Sequence, residues 1–330
     1  MPVTTLDENE LCARVGRVMP GHAVGELMAL QGGVSSLTYS ATVTVEGRPE
    51  QVVVKVAPPG LEPTKNRDVL RQARLLAALG VTPVPVPRVL AEDPGAPPEA
   101  PPFFVMSFEA GECIEPSFLP PENRPPPEEV HDRELHAARV LGHLHAVDPE
   151  AVGFGAEPPT TLDAEVERWT NSFAACEDDL RLGSEDVGER LRTTTPPSGS
   201  PVLLHGDYRL GNTLSLGHRV VSVIDWEIWS RGDPRVDLAW FLMMANPDPA
   251  LGRPTADGMP SDAALLGAYE ETSGGKVSDL EWFAALVRYK QAAASALIIR
   301  NSRRRGREVA PVDNARNPLL VSARRVLGLA

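Results

Sequence analysis

In the stretch LLHGDYRLGNTL, residues 203–214, His205, Asp207, Arg209 and Asn212 sit within an otherwise apolar frame. Asn212 follows Asp207 by five residues, and a second aspartate, Asp225, stands thirteen residues further on in the apolar run VVSVIDWE. A loop held between two strands with this spacing can turn one carboxylate towards a substrate hydroxyl and an amide oxygen towards a metal ion. Asp225, at the end of the next strand, then closes the metal site from the other side. An amide and a carboxylate are hard oxygen donors, and they suit Mg²⁺, which shares its remaining coordination with water and phosphate oxygens. The chemistry implied is phosphoryl transfer.

These residues need elements to hold them. Between Glu26 and Val56 the segments ELMALQ, LTYSATVTV and EQVVVKV read as antiparallel strands joined by turns at Gly32-Gly33 and Glu46-Gly47. NRDVLRQARLLAALG has helical period and stops at Gly80, and PRVLAED and PFFVMSF read as two further strands around the proline-rich loop 94–102. The expectation is an N-terminal five-stranded antiparallel sheet with one helix, residues 1–109. Beyond Glu109 the periodicity is helical, in EEVHDRELHAARVLGHLHAV, TLDAEVERWTNSFAACEDDL and SDLEWFAALVRYKQAAASALIIRN. Ser278 and Glu281 form a capping-box pattern that predicts where the last of these helices starts. Residues 110–330 are therefore expected to form a mostly helical second lobe, giving an α+β fold with the polar loop set between the short strands PVLL and VVSVIDWE.

Composition excludes other classes. A chain of 330 residues with 42% hydrophobic content can bury a sizeable core in about two domains. Its longest apolar run, near AAASALII, falls far short of the roughly 18 residues of a membrane span, and the N-terminus lacks the basic and apolar regions of a secretory leader. No membrane partner is expected. Cys12, Cys113 and Cys176 are widely separated, which supports neither a disulfide framework nor a zinc site and predicts a reducing cytoplasm. A net charge of −13 argues against nucleic acid and suits a cationic substrate. His131, His136, His143 and His145 lack the i, i+4 spacing of a helical metal site and are read as solvated or packed. Asp233 before Pro234 reads as a helix cap, and the basic run Arg300–Glu308 as a solvated helix C-terminus.

HGDYRLGNTL followed by VIDWE resembles the catalytic and metal-binding loops of the aminoglycoside phosphotransferase and choline kinase superfamily, whose fold is similar to that of protein kinases. LQGGVSSLTY, VVVKV, TPVPVPRVL, FFVMSF, LHAVDP and GDPRVDLAWF resemble the same family in order and spacing, so the likeness spans roughly residues 25–300. It implies a bilobal protein-kinase-like fold, ATP with GTP as the alternative, Mg²⁺, and a small-molecule hydroxyl acceptor. The expected assembly is a monomer or homodimer. By resemblance, Asp207 takes the proton of the attacking hydroxyl or orients it, Arg209 steadies the transferred phosphoryl group, and Asn212 and Asp225 hold Mg²⁺. Lys55 is implied to bind the α- and β-phosphates, Gly32, Gly33, Ser35 and Ser36 to form the turn over the phosphates, and the backbone from Met106 through Phe108 to Glu109 to hold the adenine edge. Asp237 is implied to brace the catalytic loop, and His205 to be structural.

One departure concerns the helix partner of the lysine, usually a glutamate, where Gln72 stands here; a neutral amide cannot form the ion pair. This leaves a nucleotide-binding pseudokinase as an alternative. The acceptor divides the readings further. The acidic segment CEDDLRLGSED suits an aminoglycoside or amino alcohol, whereas HGDYRLGNTL, LDAEVERW and VIDWEIWSRGDPRVDLAW also resemble the kinase-like domains found beside acyl-CoA dehydrogenases. Those are implied to phosphorylate hydroxyacyl-CoA substrates, which the C-terminal arginines would suit.

Overall fold

β-branched and aromatic residues dominate the early strands, and they assemble into one antiparallel sheet in the computed structural model, which describes residues 6–19, 23–30, 36–45, 47–249, 255–308 and 316–329. Its strands are β1 (Ala23–Val24), β2 (Met28–Ala29), β3 (Leu37–Val45), β4 (Arg48–Val56), β5 (Val89–Asp93) and β6 (Phe103–Ser107). They run in the order β1-β3-β4-β6-β5, with β2 also on β3. The first expected strand, ELMALQ, is thus realised only as the two-residue β2, and β1 before it adds a second short piece on the same neighbour. The chain turns from β3 to β4 through Gly47, whose φ of +81° is open to glycine at no steric cost. From Val52 to Val56 every residue of β4 is buried, so both faces of that half-strand are covered. Alternation sends Val52, Val54 and Val56 into a core with Tyr39, Phe103 and Val105, and Lys55 to the opposite face.

A helix precedes the sheet: α1 (Glu8–Val18), capped by the Asp7 carboxylate, which accepts from the amides of Asn9 and Glu10. Its Leu11 and Val15 close the same core. α2 (Val69–Leu79) begins at Asp68, which accepts from Arg71 N–H, and ends at Gly80 as its period predicts. Two compact units emerge, Met1–Ile114 with Gly211–Trp229, and Glu115–Leu210 with Ser230–Ala330. The first also holds the hairpin β8 (Thr213–Leu216) and β9 (Arg219–Val223). Reciprocal backbone bonds between Glu112 and Ser215, and one from Val223 N–H to the Pro85 carbonyl, attach it.

The second unit pairs β7 (Val202–Leu204) with β10 (Ser230–Gly232) and surrounds them with helices. These are α3 (Pro127–His145), α4 (Leu162–Ala174), α5 (Asp178–Arg181), α6 (Glu185–Thr193), α7 (Arg235–Ala245), α8 (Asp262–Ser273), α9 (Leu280–Arg304) and α10 (Arg316–Val326). α9, 25 residues long, contributes Phe283, Leu286, Tyr289 and Ala293 to a core shared with α4, α6, α7 and α10. Its start departs from the capping-box expectation. Asp279 is the flanking residue, at φ +61°, and the Ser278 hydroxyl donates to the Asp279 carboxylate instead of capping. With the preceding residue turned into the left-handed region, the Ser278 side chain does not reach the first turn. Among the described residues no helix is long and apolar enough to cross a membrane.

Candidate active site

In the first unit, β4 places Lys55 between Thr38 of β3 and Phe104 of β6, with 7% of its surface exposed. Its ammonium lies 3.1 Å from an Asp225 carboxylate oxygen. Asp225 follows β9 at φ +62°, a conformation that aspartate tolerates better than most residues but that still carries local strain. Asn212, buried at 5%, closes the short 3₁₀ turn Leu210–Asn212, and its carbonyl accepts from Ile224 N–H at 3.0 Å. That bond sets the asparagine backbone against the residue preceding Asp225, so Lys55, Asn212 and Asp225 are brought together. The donor set of one amide and one carboxylate fits a hard dication that takes further oxygens from a ligand. Among the described residues no cluster of three His, Cys, Asp or Glu side chains forms a resident metal cage.

Other expected nucleotide-side residues are distributed as follows. Ser36 is buried, and its hydroxyl has no hydrogen-bond partner among the described residues. Met106 sits on β6 opposite Val53 and Val89, and Phe108 is exposed just beyond the strand. Gly32, Gly33 and Ser35 lie outside the described residues. Gln72 is buried, and its amide nitrogen reaches the Asn66 carbonyl at 3.5 Å. The carboxylate beside Lys55 is thus that of Asp225, and the helix position raised by the sequence turns elsewhere. Arg71, one residue earlier, packs its guanidinium 3.5 Å from the centroid of the Trp229 ring and donates to the Trp229 carbonyl. This ties α2 to the segment that follows Asp225.

In the second unit, the loop after β7 carries Asp207 and Arg209. The Asp237 carboxylate, fully buried on α7, accepts the N–H of His205 at 2.6 Å and of Gly206 at 2.9 Å. Asp237 therefore braces the loop backbone. Burial alone would raise its carboxyl. The neighbouring His145 imidazole, at an ion-pair separation of 3.6 Å, and the charges of His205 and Lys290 outweigh that and hold it below the usual aspartate range. His145 is itself oriented by the Tyr269 hydroxyl, 2.8 Å from Nδ1. His205 has no exposed surface; its Nδ1 receives the Asp207 N–H at 3.3 Å, and its ring meets Tyr208 edge-on. The Tyr208 hydroxyl donates to the Ala137 carbonyl of α3, and burial first, then Glu134 and Asp237, push its pKa well up.

The Arg209 guanidinium lies 3.6 Å from an Asp207 oxygen and 3.5 Å from the buried Glu115 carboxylate. Glu134, on α3, is 1% exposed, and burial followed by the charge of Glu115 raises its carboxyl well above the ordinary value. Glu115, Glu134, His145 and Tyr269 were not singled out as site residues from sequence. They come from elements remote along the chain, and no local spacing marks them.

A sheet whose buried strand lysine meets an aspartate, and a helical unit that braces an HGD loop through a buried carboxylate, define a protein of the kinase-like α+β class. The profile of the phosphotransferase enzyme family matches residues 26–284, and the chain belongs to that family. Over 98% of both chains it is similar to a Ralstonia eutropha protein assigned as an aminoglycoside phosphotransferase, with a TM-score of 0.79 and 24% identity. A ternary complex of the aminoglycoside phosphotransferase APH(4)-Ia with ADP and hygromycin B superposes over 99% of both chains, with a TM-score of 0.62 and 16% identity. Among curated proteins, acyl-CoA dehydrogenase family member 10 of Mus musculus is 28% identical over 231 residues, 66% of this chain and 20% of its own length. Family member 11 of the same organism is 24% identical over 319 residues, 91% of this chain and 40% of its own length. The chain thus spans two fifths or less of the length of these relatives.

Proposed function

We propose that the protein is an ATP- and Mg²⁺-dependent phosphotransferase that moves the γ-phosphoryl group onto a hydroxyl of a small molecule. The observation that carries this reading is the pairing of the buried Lys55 with the partly exposed Asp225 beside Asn212: a phosphate-binding cation next to two oxygen donors suited to a phosphate-bound metal. Asn212 and Asp225 would hold Mg²⁺, which when bound neutralises charge on the phosphates. Lys55 binds the α- and β-phosphates, the turn of Gly32, Gly33, Ser35 and Ser36 covers them, and the backbone from Met106 to Phe108 holds the adenine edge. Asp207 accepts the proton of the acceptor hydroxyl as its oxygen bonds to the γ-phosphorus and the bond to the β-phosphate oxygen breaks. Arg209 steadies the phosphoryl oxygens. Because such transition states are loose and highly charged, the gain comes from positioning and electrostatics.

The expected tests separate these roles. Mg-ATP should raise the melting temperature, and Asp225→Asn should weaken that shift while keeping the left-handed backbone, which asparagine also tolerates. Asp207→Asn should leave the shift intact and lower turnover by roughly 10² to 10⁴. Equal binding defects in both variants would sink this division of labour. ATP binding without turnover on a wide acceptor screen would favour a pseudokinase.

For the acceptor, an aminoglycoside or other hydroxylated metabolite is supported by the fold likeness to a protein solved with hygromycin B. A hydroxyacyl thioester is the second reading, supported by relatives named acyl-CoA dehydrogenase family members. Mass-spectrometric detection of phosphorylated products from pools of aminoglycosides, amino alcohols and hydroxyacyl-CoA thioesters decides between them.

A further inference from the structure

Lys290 stands on α9 and is half-buried. A lysine on such a helix would ordinarily carry its ammonium out to water. Here the ammonium donates to the Gly206 carbonyl at 3.0 Å, and it lies 5.4 Å from the centroid of the Trp240 ring and 6.0 Å from that of Trp169. Among the described residues no carboxylate lies within ion-pair distance of it; its hydrogen bond goes to a backbone carbonyl, and the Asp237 carboxylate feels its charge from further off. The two indole faces favour a cation and limit its hydration, which strengthens the remaining bond.

The residue so gripped is unusual. Gly206 has φ +89°, a conformation that L side chains rarely adopt, and its N–H is held at 2.9 Å by Asp237. One glycine is therefore fixed at its N–H by an anion on α7 and at its carbonyl by a cation on α9. The peptide plane that begins with the Gly206 carbonyl ends with the nitrogen of Asp207, so orienting that carbonyl orients the plane from which the Asp207 side chain departs. The Asp207 N–H, on the same plane, is directed to His205 Nδ1. With the carbonyl released, the plane can rotate while Asp237 still holds the two preceding amides.

We propose that Lys290 is a positioning residue of the phosphotransfer loop: by fixing the Gly206 carbonyl opposite the grip of Asp237, it sets the direction of the Asp207 carboxylate. The assignment rests on the reading of Asp207 as the group that receives the acceptor proton. Lys290 does not itself touch the reacting atoms in this role.

The test compares the full-length wild type, Lys290→Met and Lys290→Arg by hydrogen exchange and by turnover of Mg-ATP with water as the acceptor. In that reaction the water oxygen bonds to the γ-phosphorus, ADP leaves, and Asp207 takes the proton. Lys290→Met should speed amide exchange in residues 205–210 by roughly ten-fold or more, the range of a charge-assisted hydrogen bond, while α3 and α8 keep wild-type rates. It should lower kcat by about ten-fold at unchanged KM for Mg-ATP, and Lys290→Arg should restore most of both. Unchanged loop exchange in Lys290→Met overturns the proposal. So does faster exchange spread over the whole helical unit, which would make Lys290 a stability residue, and so does a looser loop with unchanged kcat. A wild type that binds Mg-ATP but transfers its phosphoryl group neither to water nor to any pooled hydroxyl acceptor would refute the phosphotransfer reading instead; the exchange arm still judges the anchoring of the loop.

Discussion

Asp237→Asn should destabilise the helical unit out of proportion to the single oxygen it replaces. The two carboxylate oxygens serve different amides, Oδ2 that of His205 and Oδ1 that of Gly206, and the residue has no exposed surface. Asparagine offers one acceptor oxygen, and its amide group meets the second N–H donor to donor. Leaving one buried N–H unpaired costs about 1–3 kcal/mol. Against a usual stability of about 5–15 kcal/mol this is a large fraction. With an m-value of about 2 kcal/mol/M, the urea midpoint followed by tryptophan fluorescence should fall by about 0.5–1.5 M. The effect should depend on pH. Because the native Asp237 carboxyl is held below the ordinary range, the wild type enjoys its contribution above about pH 4 and loses it as pH falls through the depressed value. The gap between wild type and variant should therefore close in acid. A midpoint shift under about 0.3 M at pH 7 would refute the view that Asp237 carries the loop.

Glu134→Gln should do the opposite. Burial and Glu115 raise the native carboxyl, so the folded state binds a proton that the unfolded chain releases, and the wild type loses stability as pH rises from about 4.3 towards the raised value. The neutral variant should lack that slope and melt higher at pH 7.5, by roughly 2–4 °C for each kcal/mol of penalty removed; an unchanged pH slope in differential scanning calorimetry would count against it. Gly206→Ala should cost roughly 1–2 kcal/mol, because φ +89° forces the new Cβ towards the following carbonyl while both grips on the residue oppose relaxation. Wild-type urea stability with wild-type ATP turnover would show that the clamp is slack.

Local chemistry was legible in the sequence, and long-range pairing was not. The pattern of QVVVKV placed Lys55 on a strand, and the spacing of Asp207, Asn212 and Asp225 marked a polar loop followed by a strand that ends in a second aspartate, but not the hairpin of β8 with β9. Nothing in the spacing could have matched Lys55 with Asp225, 170 residues away, or shown that the hairpin carrying Asn212 and Asp225 groups with the first unit. The same limit hid His145 and Lys290, whose partners are supplied by helices that meet only in the folded chain. α1 is different: Asp7 ahead of Leu11 and Val15 is a cap followed by an i, i+4 apolar pair, a signal the N-terminus carried all along. The failed capping box at Ser278 shows the converse, a correct local pattern overridden by the left-handed turn at Asp279.

The placement of the charged side chains alters what the net charge implies for the acceptor. Net charge favoured a cation, with Glu177, Asp178 and Asp179 as its attraction and the arginines from Arg300 onward as the rival site for an anion. In the fold these two segments answer each other. Arg303 donates to both oxygens of Asp179, at 3.2 and 2.8 Å, and Arg300 donates to the Ala175 carbonyl at the end of α4. Asp178 pairs with Arg181, and Asp186 with Arg324 of α10. A paired carboxylate and guanidinium present a dipole to solvent, not a net charge, and at physiological salt a dipole on an exposed surface fades within the Debye length of about 8 Å. The formal charge of −13 is thus no measure of the field that an acceptor meets near these segments. Reversing the sign of Arg303 alone would first set two anions against each other where α5 meets α9, and any loss of activity would report on that joint. Selection of the acceptor is therefore to be sought in the groups that face Asp207 itself, and the net charge favours neither a cation nor an anionic thioester.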